Sequence, residues 1–170
     1  MIVCVGRGWV GASLSAYALS MKPAVPQPAT IRPMRSTDYA AVLSLWQATE
    51  GLTLREADSE EAFGRYLARN PGLSFVVEGE AGLAGAVLCG HDGRRGYLHH
   101  LAVAPDRRRQ GLGRALVERC LEVLRTQGIL KCHLFVRTEN TAALSFWRQL
   151  GWFGRPDVVM LSFSSGGEDA

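Results

Sequence analysis

Residues 98–113, LHHLAVAPDRRRQGLG, limit what this chain can fold into more than any other stretch of it. An apolar run reads as a β-strand, Pro105 closes it, an arginine-rich loop follows, and Gly111-Leu112-Gly113 opens a helix. That helix is expected over residues 111–127, with Leu112, Leu116, Cys120 and Val123 in one stripe and Gly128 as its stop. The junction between strand and helix is an anion site. The first amide groups of a helix have no internal acceptors, the helix dipole adds positive potential, and glycines let a bulky diphosphate approach the backbone. Arg107, Arg108, Arg109 and Arg114 add charge around it. No G-K-[ST] follows, so this is not the usual nucleotide-binding P-loop.

The rest of the chain supplies a sheet for the strand and partners for the helix. Further strands are expected at 30–35, 73–78, 83–90, 130–136 and 158–163, with the central one at 97–103. Thr37 and Asp38 cap a helix that runs to about Thr49 and buries Val42, Leu45 and Trp46. Asp58 and Glu61 have capping-box spacing and open a second helix, which Asn70-Pro71-Gly72 stops. Asp92-Gly93 favours a hairpin-type turn, and 140–150 reads as a helix ended by Gly151. The order β-α-α-β-β-β-α-β-α-β predicts an α/β fold, a central mixed β-sheet with helices on both faces. One domain is expected over 29–164. The Pro-rich stretch 23–28 sets off residues 1–28 as a poorly ordered extension, and 165–170 read as a polar tail.

Composition narrows the function classes. A length of 170 residues suits one domain with its own core, and a net charge of +3 decides nothing between a small anion and nucleic acid. The four cysteines form no C-x-x-C pair and read as free thiols of a cytoplasmic protein. Neither H-E-x-x-H nor G-x-S-x-G occurs, and no metal is expected. Nothing from Met21 onward is apolar for long enough to span a membrane. The first twenty residues are apolar but broken by glycines, with Arg7 as the one charge, so Ala16-Tyr17-Ala18 is not expected to act as an export signal. Gly6-Arg7-Gly8-Trp9-Val10-Gly11 spells G-x-G-x-x-G, yet a dinucleotide site also needs a helix, a second strand and an acidic residue about 20 positions on. Prolines break the unit, and no acidic residue precedes Asp38.

Arg108-Arg109-Gln110-Gly111-Leu112-Gly113 resembles the R/Q-x-x-G-x-G/A pyrophosphate motif of the GNAT superfamily of N-acetyltransferases. Leu101-Ala102-Val103-Ala104-Pro105 fits the L-x-V-x-P that precedes it there. Asn140-Thr141-Ala142-Ala143-Leu144-Ser145-Phe146-Trp147, ending in Gly151-Trp152, is similar to the family's second signature. The resemblance is to small, compact, bacterial-type members. It implies acetyl-CoA as co-substrate, held by Leu101, Val103, Arg108, Arg109, Gln110, Gly111, Leu112, Gly113, Arg114 and Asn140. It further implies two parallel strands that splay apart, with the pantetheine arm between them and the Leu101 N–H as oxyanion donor. The acceptor would be the primary amine of a small molecule or of a protein or peptide, attacking the thioester directly. Monomer and homodimer both fit the family. A nucleic-acid partner is not expected, because the arginine loop lacks interleaved aromatics or a known binding motif.

The catalytic residues are less plainly written. Strand alternation puts Tyr97, His99 and Leu101 on one face and His100 on the other, which makes His99 the expected general base. Tyr97 stands behind it, acting through water. A lone histidine serves equally well as a packing group. Where many members carry a glutamate this chain has none, and where many carry a tyrosine it has Trp147, whose indole cannot protonate a thiolate. These two departures leave an alternative open, a coenzyme A-binding protein with little catalysis. Asn140 equally suits a helix cap and a coenzyme contact.

Overall fold

The computed structural model describes residues 30–80 and 82–166. The extension 1–28 and its G-x-G-x-x-G run lie outside the described residues. Five strands form one sheet in the order β1 (Ile31–Pro33), β2 (Phe75–Gly79), β3 (Gly82–His91), β4 (Gly96–Val103) and β5 (Cys132–His133). All neighbours are antiparallel except β4 and β5, so the sheet is mixed. α1 (Tyr39–Gln47) and α2 (Glu60–Arg69) cover one face, and α3 (Leu112–Thr126) and α4 (Thr141–Gln149) the other.

Period-two alternation along the strands creates two cores. Phe75 and Val77 of β2 pack with Leu116, Cys120 and Leu124 of α3, whereas Val76 between them packs with Val42 and Trp46 of α1 and Phe63 of α2. Full burial of such side chains is worth about 1.5–3 kcal/mol each, and it fixes which face each strand residue must take. The β3–β4 turn is held by the Asp92 carboxylate, which accepts the Arg95 and Arg94 amides at 2.7 Å each; those bonds pull its pKa below the ordinary carboxylate range.

Three local expectations need correction. α2 is capped by Ser59, whose hydroxyl accepts the Ala62 amide, and not by Asp58, which ends a short 3-10 turn (Glu56–Asp58) just before it. The expected strand at 130–136 is reduced to Cys132–His133, paired with Gly96 and Tyr97 alone. Residues 158–163 form no strand; Leu161 and Phe163 are 90% and 93% exposed. Apolar β-branched sequence makes a strand only where a neighbour offers a ladder, and 158–163 has no such partner among the described residues.

The fourth correction bears on the site. Ala86 pairs with Ala102, but Leu88 pairs with His99, so β4 carries an extra residue in this interval. His100 sits there with φ of +50°, in the left-handed region that a non-glycine residue seldom adopts. The bulge reverses the alternation. Leu98 packs in the α3 core while Ala102, four residues on, packs in the α1 core. Leu101 goes with Leu98. His99 meets the Tyr66 ring of α2 and His100 the Trp46 ring of α1, so both imidazoles lie on the face opposite Leu101.

Candidate active site

The segment after β4 builds an anion cradle. Pro105–Arg107 makes one 3-10 turn, Arg108 is extended, and Arg109 and Gly111 take φ of +60° and +81°. Gly111 is the N-cap of α3 with no side chain to cap it. The first internal bond of the helix is Ala115 N–H to Gly111 O at 3.0 Å, which leaves the amides of Leu112, Gly113 and Arg114 without helical acceptors. They open on a cavity of about 980 Å³, lined by Arg107, Arg108, Arg109 and Arg114 from this side and by Asn140, Thr141 and Phe146 of the α4 turn from the other. A Cβ added at Gly113 would sit 3.4 Å from the Phe146 ring, in van der Waals contact, so Phe146 of α4 borders the cradle beside Gly113. Unpaired amides, four cations and a helix dipole aimed into one cavity suit a diphosphate.

Leu101, Val103, Arg108, Arg109, Gly111, Leu112, Gly113, Arg114 and Asn140 all line this cavity. Gln110 does not. Its amide group is turned back onto the loop, donating to Asp106 O and accepting from Arg107 Nε, both at 3.4 Å. Arg108 also braces the loop, its Nε donating to Val103 O at 3.2 Å. Asn140 fills two roles at once, since its Oδ1 accepts the Ala143 amide at 3.0 Å as the α4 cap while the residue lines the cavity.

Pairing between β4 and β5 ends at Tyr97 and His133. Beyond that point, residues 98–101 and 134–137 line a second cavity of about 440 Å³ together with the α1–α2 connection at 49–53. The two cavities share Leu101, Gly51, Arg137 and Asn140, so the opening between the strands joins the cradle to the opposite face of the sheet. His99 and His100 line the second cavity. Tyr97 lines neither; it stacks on the His99 ring at 6.4 Å and tilts against His133. Trp147 is buried, edge-on to Phe146 and Trp152 at 5.1 Å each, and closes the second cavity from the α4 side.

The histidines differ in their surroundings. His99 is wedged between the Tyr66 and Tyr97 rings, and burial, then the neighbouring His100, lowers its pKa, with a smaller opposing pull from Asp58. His100 is gripped: its Nε2 lies 2.6 Å from Asp58 Oδ1, and its carbonyl accepts the Trp46 indole N–H at 3.2 Å. Sequence reading missed Asp58. It has helix-cap spacing, sits 42 positions from His100, and carries no motif of its own. Among the described residues no group of His, Cys, Asp and Glu could hold a metal ion, and no helix is long and apolar enough to cross a membrane.

This strand–cradle–helix arrangement, open between two parting parallel strands, is that of an acyltransferase fold. The Acetyltransferase (GNAT) family profile matches residues 39–152, and the chain belongs to that family. An acetyltransferase of Pectobacterium atrosepticum is 36% identical over 120 residues, covering 71% of this chain and 84% of its own length. Among solved structures, the ribosomal-protein-S18-alanine N-acetyltransferase from Escherichia coli is 28% identical, with a TM-score of 0.59 over 73% of this chain and 77% of that one. Ard1 from Thermoplasma volcanium is 25% identical, with a TM-score of 0.61 over 72% of this chain and 81% of that one.

Proposed function

We propose that this acetyltransferase moves acetyl from acetyl-CoA to a primary amine by direct attack. The observation that carries the reading is the continuity of the cleft: an uncapped helix N-terminus among arginines at one end, two imidazoles at the other, and Leu101 between. The diphosphate of coenzyme A fits the Leu112, Gly113 and Arg114 amides, with Arg108, Arg109 and Arg114 supplying charge. Its thioester, when bound, supplies the activated acyl group. The pantetheine arm takes the unpaired β4 edge near Leu101 and Val103, and the Leu101 N–H meets the charge that develops on the acetyl oxygen, a role worth about 2.7–4 kcal/mol in other acyl transfers.

The acceptor enters from the α1–α2 side, past residues 49–53, and delivers its nitrogen opposite the coenzyme. An arriving ammonium must lose a proton first, and the imidazoles of His99 and His100 are the bases at hand. His99 retains its candidacy through its place in the cavity and through burial, which keeps it neutral, but not through a shared face with Leu101. Tyr97 loses its candidacy, being outside the cavity. With Trp147 unable to donate to sulfur, the departing thiolate takes its proton from the attacking nitrogen or from water; a thiol pKa near 8.5 makes that tolerable.

The E. coli relative is named for an alanine of a ribosomal protein, which supports a protein or peptide amine among the acceptors; a small-molecule amine fits the cavity equally. Incubation with acetyl-CoA and a panel of peptide N-termini, lysine, polyamines and xenobiotic amines tests the reading. Release of free coenzyme A matched by a 42-Da mass gain on one amine is the expected result. Tight acetyl-CoA binding without transfer to any amine would replace the enzyme with a coenzyme A-binding protein.

A further inference from the structure

The cleft holds a side-chain pair that the motifs do not explain. His100 and Asp58 come from β4 and from the 3-10 turn Glu56–Asp58, and they meet at 2.6 Å with side-chain exposures of 23% and 11%. Both partners are fixed from behind. The other carboxylate oxygen, Asp58 Oδ2, accepts the Arg55 amide at 2.9 Å, and the Asp58 carbonyl accepts the Tyr39 hydroxyl at 3.1 Å. The His100 carbonyl is held by Trp46, whose ring packs edge-on to the imidazole at 4.8 Å. The backbone at His100 is left-handed, a conformation that costs an L-residue about 1–2 kcal/mol and is kept here by these contacts.

We propose that His100 is the general base of the acetyl transfer, through Nδ1, and that Asp58 is its positioning residue. This rests on the acetyltransferase reading above and assigns the proton within it. A carboxylate at Nε2 requires a proton there, so the neutral ring carries its lone pair on Nδ1. Among the described residues Nδ1 has no hydrogen-bond partner, and it is not sealed off, since the Tyr66 hydroxyl is the one fully buried side-chain polar atom there without a partner. His100 lines the acceptor cavity, so this lone pair is within reach of an incoming amine. His99 has no carboxylate in hydrogen-bond contact to set its tautomer, and Asp58 reaches it only as the smallest of the influences on its charge.

The step balances as follows. The ammonium gives one proton to Nδ1 of His100, and the freed nitrogen lone pair forms the C–N bond as the C–S bond breaks. The sulfur leaves with the bonding pair, the nitrogen sheds a second proton that neutralises the thiolate, and His100 returns the first proton to solvent. The charge left on His100 meanwhile is balanced by Asp58. The other groups facing the ring are His99 on β4 and the indole of Trp46 on α1, with Glu50, Arg55 and Arg137 on the cavity wall.

The experiment has two arms on the full chain. Long-range ¹H–¹⁵N spectra of the free protein should show neutral His100 as the Nε2–H tautomer; an Nδ1–H tautomer overturns the assignment whatever the acceptor. With the best acceptor of the amine panel, His100→Gln should lower kcat by roughly 10²-fold or more at pH 7. The loss should shrink as pH rises towards the amine's own pKa, with acetyl-CoA affinity unchanged. Asp58→Asn should lower kcat across the acidic limb of the rate profile and, in the same spectra, let the neutral ring populate the Nδ1–H tautomer, because the carboxylate that holds the Nε2 proton is gone. His99→Gln should keep that limb. A loss in His100→Gln that is equal at all pH values and tracks a fall in Tm would make the pair a structural pin. A wild-type rate and limb in His100→Gln, with the limb lost in His99→Gln, would give the proton to His99. In both cases acetyl transfer itself stands, whereas no transfer by the wild type to any amine refutes the acetyltransferase reading and leaves the tautomer result to judge the pair.

Discussion

The two ends of the cleft are made of different material. The cradle end comes from one continuous stretch, 108–114, of open backbone amides with exposed arginines around them. The histidine end is assembled from side chains of β4, α1 and the turn before α2, which meet only because the sheet and both helices are in place. An end built of amides is indifferent to most side-chain changes and sensitive to anything that alters φ or fills the space above the helix. An end built of packed side chains has the reverse sensitivities, since every member is held by another.

The largest effect should follow from attacking the backbone end at its least replaceable residue. Gly111 has φ of +81° with open space around its Cα, so a side chain there is resisted by conformation and not by a clash. Gly111→Val should turn the α3 amides away and project into the diphosphate site, weakening acetyl-CoA binding by about a hundredfold or more in calorimetric titration; each charge-assisted bond lost is worth about 1.5–3 kcal/mol. Undiminished affinity would remove the assignment of this loop. Next in size, Arg108→Ala should cost roughly tenfold to hundredfold in affinity, combining a lost phosphate contact with the lost brace on Val103 O. A comparable loss in kcat at saturating acetyl-CoA would instead mean that the two ends are mechanically coupled.

Asn140 stands where the two ends meet and sharpens the contrast. Asn140→Ala removes the α4 cap and should lower stability by about 1 kcal/mol, read as a Tm shift, with a smaller loss of acetyl-CoA affinity. The smallest effect belongs to His99. Its folded pKa is depressed by burial, then by His100, so below the unfolded value of about 6.5 the unfolded chain binds more protons than the folded one. The stabilising contribution is full above about pH 6.5 and is lost as pH falls through the folded value. His99→Gln should therefore flatten the acid side of the Tm–pH curve; an unchanged slope would show that His99 is hydrated in the folded protein.

The element order through the four helices, the mixed sheet and the strand–loop–helix junction were legible from hydrophobic periodicity, glycine placement and the arginine loop. The errors cluster where a residue's neighbour is distant in sequence. Asp58 has the spacing of a helix cap and is instead the partner of His100, leaving the cap to Ser59. Gln110 is the local exception: it lies inside the motif but folds back onto Asp106, a near neighbour in its own loop. The strand alternation that paired His99 with Leu101 fails at one residue, because β4 inserts His100 against β3.

By itself, then, the amino-acid order determined the anion site and with it the family. A helix N-terminus is a local object, and its amides, dipole, glycines and flanking charges all lie within a few residues of one another. Only the tertiary structure decided which imidazole meets a carboxylate and on which side of the sheet it does so. A bulge is a mismatch between two strands, and the Asp58–His100 contact closes a loop of 42 positions. Neither is encoded in any window of sequence around His100, because the free energy that holds its left-handed backbone comes from Trp46, Asp58 and the register of β3.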